Sequence, residues 1–365
     1  MRLSDLRTPC LVLDRAVLMR NIAAMDRAVA RHAVALRPHM KTAKSVEIAR
    51  LAMRGGGVTV STLAEAAFFA EHGIVDQVLA AGITPRKLAE VAALNRRGAA
   101  VKVITDDLDM AHAIAAEGGV GALIEIDCGE GRGGVGPEDP RLPLLADALG
   151  PALAGVLTHA GHSYAATSPA AIAAVAEAER AASVAAAERL RAAGHTVGIV
   201  SIGSTPTALH AETLAGITEM RPGVYMFGDL FQAQRFSCGL GDIAVTVLAS
   251  VIGRRPAEHR LLIDAGALAL SKDRSTEAAP HDYGFGRVLG LDGAASLGAA
   301  TVMRAYQEHG IVACDPALPF PDLAIGALVR VAPNHACLTA AGHDRYHVVD
   351  GGDAIEAIWP RVNYW

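Results

Sequence analysis

The sequence predicts a (β/α)8 barrel followed by an antiparallel β domain, and three observations carry that expectation. From residue 11 to about 227, short apolar runs of strand length alternate with stretches of helical length, about eight times over. Beyond about Gly228 the helical stretches give way to β-branched runs separated by Gly, Pro and Asp. No Gly-rich phosphate fingerprint follows the first run, where Leu13 leads into Asp14-Arg15-Ala16, and this argues against a doubly wound sheet.

The elements follow in order. Leu11–Leu13, Ala33–Leu36, Val58–Val60, Gln77–Ala80, Val101–Ile104, Ala122–Ile126, Ala154–Leu157 and Val197–Ile202 read as barrel strands, with a ninth run near Ile217–Met220. Helical patterns lie between them at Leu63–Glu71, Pro85–Leu94, Asp109–Glu117 and Pro169–Ala193. The last is Ala-rich, with Glu177, Glu179, Arg180, Glu188 and Arg189 expected on an exposed face. Ile243–Ile252, Arg260–Asp264, Ala299–Val302, Leu328–Val331 and Tyr346–Val349 read as strands of the second domain. The domains are therefore expected at 11–235 and 236–365, with residues 1–10 joining the latter.

Composition limits the functions available. A net charge of −5 with no Lys/Arg-rich tract argues against nucleic-acid binding. No apolar run is long enough for a membrane span, and Met1-Arg2-Leu3-Ser4-Asp5 lacks a signal-peptide core. Cys10, Cys128, Cys238, Cys314 and Cys337 are odd in number and scattered, which favours a reducing cytoplasm over a disulfide framework.

Several residues stand where a barrel places its chemistry, at the ends of strands. Lys41, in Arg37-Pro38-His39-Met40-Lys41-Thr42, is ordinarily read as a solvated loop charge, but a lysine at a strand end can also form a Schiff base with an aldehyde. Gly203-Ser204-Thr205-Pro206-Thr207 and, one strand later, Arg221-Pro222-Gly223-Val224-Tyr225 occupy the positions where these barrels build phosphate cradles. Thr158-His159-Ala160-Gly161-His162-Ser163-Tyr164 ends another strand. There His159 can lie against a flat heterocycle and Tyr164 can hydrogen-bond to it. Arg132, in the Gly-rich loop 127–135, can pair with an oxygen anion. In the second domain His335 and Cys337, read as i and i+2 of an extended segment, project to one face, where they are either a buried cysteine beside a core histidine or a two-ligand metal site open to water or substrate.

These motifs, with Val60-Ser61-Thr62-Leu63-Ala64-Glu65-Ala66, Gly155-Val156-Leu157 and Gln307-Glu308-His309-Gly310, occur in an order that resembles the D-serine dehydratase and D-threo-3-hydroxyaspartate dehydratase group. That group comprises relatives of D-threonine aldolase and is distantly similar to alanine racemase. The resemblance covers nearly the whole chain. It implies a pyridoxal 5′-phosphate (PLP) barrel, a C-terminal β domain and a homodimer. It also implies Lys41 as the Schiff-base lysine, and Arg132, His159, Tyr164, Gly203, Ser204, Thr205, Arg221, Gly223, Val224 and Tyr225 as cofactor contacts. His335 and Cys337 are implied as ligands of a divalent metal, with zinc favoured by the thiolate over manganese or magnesium. One departure stands out: many relatives carry a histidine two residues after this lysine, where Ala43 stands here.

The implied reaction is loss of water from a D-3-hydroxy amino acid such as D-serine, D-threonine or D-threo-3-hydroxyaspartate, giving a 2-oxo acid and ammonia. Lys41 takes the α-proton, and the metal assists departure of the β-hydroxyl. Retro-aldol cleavage to glycine and an aldehyde is the alternative. A metal-free racemase and a non-catalytic PLP-binding protein stand behind both. Arg274 and Arg304 are candidate partners for a β-carboxylate, and Tyr283 and His309 candidate contributions from the second domain.

Overall fold

The computed structural model describes residues 1–365. The chain divides into two compact units, Ala24–Gly223 with Val362–Trp365, and Met1–Ala23 with Val224–Arg361.

In chain order the strands are β1 (Cys10–Asp14), β2 (Ala35–Leu36), β3 (Val58–Val60), β4 (Asp76–Gly82), β5 (Ala100–Thr105), β6 (Ala122–Glu125), β7 (Leu153–Leu157), β8 (Ile199–Ile202) and β9 (Glu219–Met220). All but β1 form an eight-stranded parallel sheet in the order β2-β9-β8-β7-β6-β5-β4-β3. An isolated parallel bridge from His39 to Thr59 joins its two edges. Val78, Ile104, Leu123 and Leu157, one from each of four consecutive strands, pack as a core cluster. Helices lie between the strands, and their starts are written in the sequence. Thr62, Thr84, Asp107 and Ser168 each accept a backbone N–H from the first turn of the following helix. Such a cap contributes about 1 kcal/mol. The four helices match the expected spans to within two residues: Leu63–Glu71, Pro85–Arg96, Leu108–Glu117 and Pro169–Ala192.

The other unit holds β10 (Val245–Arg255), β11 (Arg260–Ile263), β12 (Arg287–Leu289), β13 (Thr301–Ala305), β14 (Gly310–Ala313), β15 (Leu328–Ala332), β16 (Arg345–Val349) and β17 (Ala357–Pro360). Pairing of β11 with both β14 and β10 closes a six-stranded antiparallel ring, β11-β14-β13-β12-β15-β10.

The strand expected to open the parallel barrel lies elsewhere. β1 pairs antiparallel with β10, Leu13 opposite Val245, and parallel with β16, Val12 opposite His347. Leu11, Val12 and Leu13 are at most 1 % exposed. A strand buried on both faces reads the same in either sheet, so its apolar run could not say which sheet it joins. The ninth run, near 217–220, supplies the eighth barrel strand.

The segment around His335 also departs from expectation. It is not extended throughout: His335 has extended backbone angles, but a helix starts at Ala336 and runs to Ala341, so Cys337 is helical. Glu179, expected on a solvated helix face, is fully buried.

Candidate active site

The segment after β2 is clamped through its backbone. The Thr59 N–H donates to the Pro38 carbonyl, the Met40 N–H to the Thr59 carbonyl, and the His39 N–H to the Pro222 carbonyl at 3.0 Å. Met40, Thr42 and Ala43 are completely buried, whereas Lys41 is exposed. A hydrogen-bonded backbone thus carries the exposed Lys41 side chain. The Lys41 N–H itself points to His39 Nδ1 at 3.4 Å. At Gly223 a Cβ would come 2.7 Å from the His39 carbonyl oxygen, so only glycine lets the chain after β9 lie against this segment.

Arg221 is a buried cation of the barrel unit, 4 % exposed. Its guanidinium donates to Ser201 Oγ at 2.6 Å and to the Thr158 carbonyl at 2.5 Å, while its buried Nε has no partner. Ser201 Oγ donates in turn to Glu219 at 2.6 Å. Glu219 also accepts from Arg37 at 2.8 Å, and Arg37 reaches Asp76 at 2.9 Å. A chain of alternating charges therefore runs through the barrel unit and fixes Arg221. Burial pulls the Arg221 pKa down to about 10 against the opposing pull of Glu219 and Glu179.

His159, half-buried after β7, has Nδ1 3.4 Å from the Gly203 carbonyl. Burial, then Lys41, Arg132 and Arg221, lower its pKa to about 3. His39 is lowered well below the ordinary imidazole value, by burial and then by Lys41 and Arg221. Both rings are therefore neutral in a cation-rich surround. Arg132 is largely exposed, 3.5 Å from Glu125 and 3.9 Å from Glu130. Tyr164 is half-buried in a 3-10 turn, Gly161–Ala165.

Gly203 takes φ +121°, and a Cβ there would sit 3.0 Å from the Arg221 nitrogen. Ser204 caps the short helix Thr205–His210 by accepting the Thr207 N–H, and its Oγ lies 3.0 Å from Ser163 Oγ. Its hydroxyl is thus already engaged within the protein, and so are the Gly203 N–H, on Glu179, and the Ser204 N–H, on Thr207 Oγ1. Val224 and Tyr225 are buried and begin the other unit, in a 3-10 turn that runs to Met226.

In that other unit His335 and Cys337 flank one backbone amide. The Ala336 N–H donates to Asp229 Oδ2 at 2.9 Å, and Asp229 Oδ1 accepts from Gln232 at 2.7 Å. His335 Nδ1 lies 3.9 Å from Asp273, whose carboxylate is held by Ser275 N–H and Oγ. Burial opposes charge on His335, but Asp273, the Cys337 sulfur and Asp229 outweigh it and push its pKa up to about 11. Asp229 is raised to about 6, by burial first. The imidazole and thiol next to two carboxylates form a cation-attracting pair, with no third His, Cys, Asp or Glu making a larger ligand group.

Other expected residues take no comparable place. Arg274 is committed to Asp282 at 2.8 Å, and Arg304 and His309 are exposed. Tyr283 packs on His281 with ring centroids 4.3 Å apart. Sequence reasoning missed Ser201, Glu219, Asp229 and Asp273. Strand alternation places Ser201 and Glu219 as partners, since they pair across β8 and β9. Asp229, a capping residue just ahead of Leu230, also carried a legible signal.

Comparison with known proteins finds relatives along the whole chain. The family model described as "Alanine racemase, N-terminal domain" matches residues 13–230, and "Putative serine dehydratase domain" matches residues 244–349. D-threo-3-hydroxyaspartate dehydratase of Delftia sp. (strain HT23) is 42% identical over 100% of this chain and 99% of its own. D-threonine aldolase of Arthrobacter sp. is 32% identical over 98% of this chain and 92% of its own. A solved structure of a D-threo-3-hydroxyaspartate dehydratase cysteine-to-alanine variant, in the metal-free form, superposes with a TM-score of 0.95 at 40% identity, covering 100% of each chain. The chain belongs to the alanine racemase-like family of lyases that carry a serine dehydratase domain.

Proposed function

We propose that this protein is a PLP- and divalent-metal-dependent dehydratase of a D-3-hydroxy amino acid, D-threo-3-hydroxyaspartate first among the candidates, and that it releases a 2-oxo acid and ammonia. The observation that carries the reading is the His335–Cys337 pair, set beside two carboxylates in a chain whose barrel unit presents the exposed Lys41 near His39, His159 and Arg221. A hydroxyl is a poor leaving group, and elimination needs a Lewis acid where simple racemisation does not.

The residues suit both groups. The partnerless buried Nε of Arg221 is a donor awaiting an acceptor, as a pyridine nitrogen would be. Neutral His159 offers a flat apolar face, and the turn from Gly203 to Thr205 stands at the strand end where such barrels hold a phosphate. Lys41, Arg132, His159, Tyr164, Gly203, Ser204, Thr205, Arg221, Gly223, Val224 and Tyr225 would hold PLP, and His335 and Cys337 the metal. Nitrogen and sulfur donors favour zinc. Bound PLP supplies an electron sink for the carbon that loses its proton, and the cation supplies the Lewis acid. Lys41 carries the proton from Cα on its amine. His159, its basicity lowered by burial and by Lys41, Arg132 and Arg221, is a poor competitor for that proton. The backbone clamp at Pro38, His39 and Met40 holds the Lys41 segment in place while its side chain moves.

Retro-aldol cleavage is the second reading, favoured by the D-threonine aldolase relative. The test is product analysis on a panel of D-3-hydroxy amino acids with and without chelator. A 2-oxo acid with ammonia, lost on chelation, is expected; glycine with an aldehyde would replace the proposal with the second reading. A homodimer in the cytoplasm belongs to the same proposal. No helix is long and apolar enough to cross a membrane. Leu268 and Tyr306, 60% and 56% exposed, supply apolar surface suited to a second copy.

A further inference from the structure

Glu179 is a carboxylate where the helix pattern calls for an apolar residue. The buried stripe of Pro169–Ala192 runs Ile172, Ala176, Glu179, Ser183, Ala186, Ala187, Leu190. Burying an acid there is costly unless its oxygens are used. One oxygen is: Oε1 accepts the Ala160 N–H and the Gly203 N–H, each at 3.0 Å. Oε2 is buried with no hydrogen-bond partner; no salt bridge neutralises the group, and only the Thr207 hydroxyl, the two amides and the charge of Arg221 favour its ionised form. Burial accordingly raises its pKa.

The two amides belong to two different loops. Ala160 follows His159 after β7, and Gly203 opens the turn after β8. The parallel ladder between these strands ends with the Thr158 N–H on the Ser201 carbonyl. Beyond that point the loops are joined by the two bonds to Glu179, by the Ser163–Ser204 contact at 3.0 Å, and by His159 Nδ1 on the Gly203 carbonyl at 3.4 Å. Gly203 is thus held on both sides, its N–H by Glu179 and its carbonyl by His159, at a φ of +121° that a side chain rarely adopts.

We propose that Glu179 is a positioning residue: from behind the barrel rim, its single oxygen locks the His159 loop to the turn at Gly203, pre-setting the cradle for the cofactor. It touches neither cofactor nor substrate. The consequence for cofactor affinity rests on the PLP reading above, whereas the lock itself does not.

Two measurements test it. In wild-type protein without cofactor, hydrogen–deuterium exchange should show the Ala160 and Gly203 amides protected although they lie past the strand ends. Free exchange of both overturns the lock whatever the protein binds. In holoenzyme variants, the dissociation constant for PLP is measured by equilibrium dialysis, alongside the melting temperature. Glu179→Gln keeps a carbonyl oxygen that can accept both amides, and should stay within about threefold of wild type. Glu179→Leu fills the space without an acceptor and should weaken PLP binding by about tenfold or more. Wild-type affinity in folded Glu179→Leu, or equal loss in both variants, overturns the proposal. Should Glu179→Leu fail to fold, the exchange experiment and Glu179→Gln still decide. If wild type itself binds no PLP, the PLP reading fails, and exchange alone judges the lock.

Discussion

Two histidines in this chain sit at opposite ends of the imidazole range. His159, in the barrel unit, is lowered to about 3, whereas His335, in the β unit, is raised to about 11. Burial works against the charge in both, so burial is not the difference. The neighbours are: Lys41, Arg132 and Arg221 around one, Asp273, Asp229 and the Cys337 sulfur around the other. The barrel unit gathers positive charge and suits a phosphate-bearing anion; the β unit gathers negative charge and suits a cation. Each site's electrostatics thus point to a ligand of opposite charge. The comparison predicts that the two ligands can be removed separately.

The largest effect should come from Lys41→Ala. Turnover is expected to fall by about 10³-fold with loss of the visible absorbance of lysine-bound cofactor, while bound metal, measured by elemental analysis, stays at the wild-type level. Loss of both ligands together would break the comparison. The reciprocal change is Cys337→Ala. Metal content should drop to background and elimination by roughly 10²-fold or more, with the visible absorbance retained. A variant that keeps its metal would show that the sulfur is packing rather than a ligand.

Asp229→Asn tests the support beneath that pair. The carboxylate accepts two backbone amides, one of them lying between His335 and Cys337. An amide side chain keeps one acceptor oxygen and loses the other, so metal affinity should weaken by about 10–100-fold, the range seen when groups orienting a ligand are removed. Unchanged affinity in a metal titration would assign Asp229 to fold stability alone.

Much of this was legible in the sequence, and the failures have physical causes. Helix starts were readable because Thr62, Thr84 with Pro85, Asp107 and Ser168 with Pro169 mark them chemically. The sequence of β1 does not name its sheet, because Leu11, Val12 and Leu13 are all buried and such a strand has no polar face to orient it. Glu179 reads as solvated from its neighbours Glu177 and Arg180. The i, i+3, i+4 spacing through Ile172, Ala176 and Ser183 runs straight through it and was the better guide. His335-Ala336-Cys337 looked extended, yet a helix begins at Ala336. The two side chains come together through the turn at its start rather than across a pleat. What the sequence could not show was the set of partners that fix each functional group, since Ser201, Glu219 and Asp229 act through contacts distant along the chain.

The smallest effect, and the most direct reading of the electrostatic contrast, is pH dependence in the protein freed of cofactor and metal. The unfolded His159 titrates near 6.5, the folded one near 3. Between those values the unfolded chain binds more protons, so His159's contribution to stability is present above about pH 6.5 and is lost as pH falls through the window. His39, lowered in the same direction, adds to the loss. Melting temperature should therefore decline on acidification from pH 6.5, and His159→Asn should decline less, by about one or two degrees at pH 5. Carboxylates contribute to the decline in both proteins and cancel in the difference, which leaves the imidazole's share. A His159→Asn curve parallel to wild type would mean that the barrel rim does not hold this ring neutral, and the contrast with His335 would lose one of its two poles.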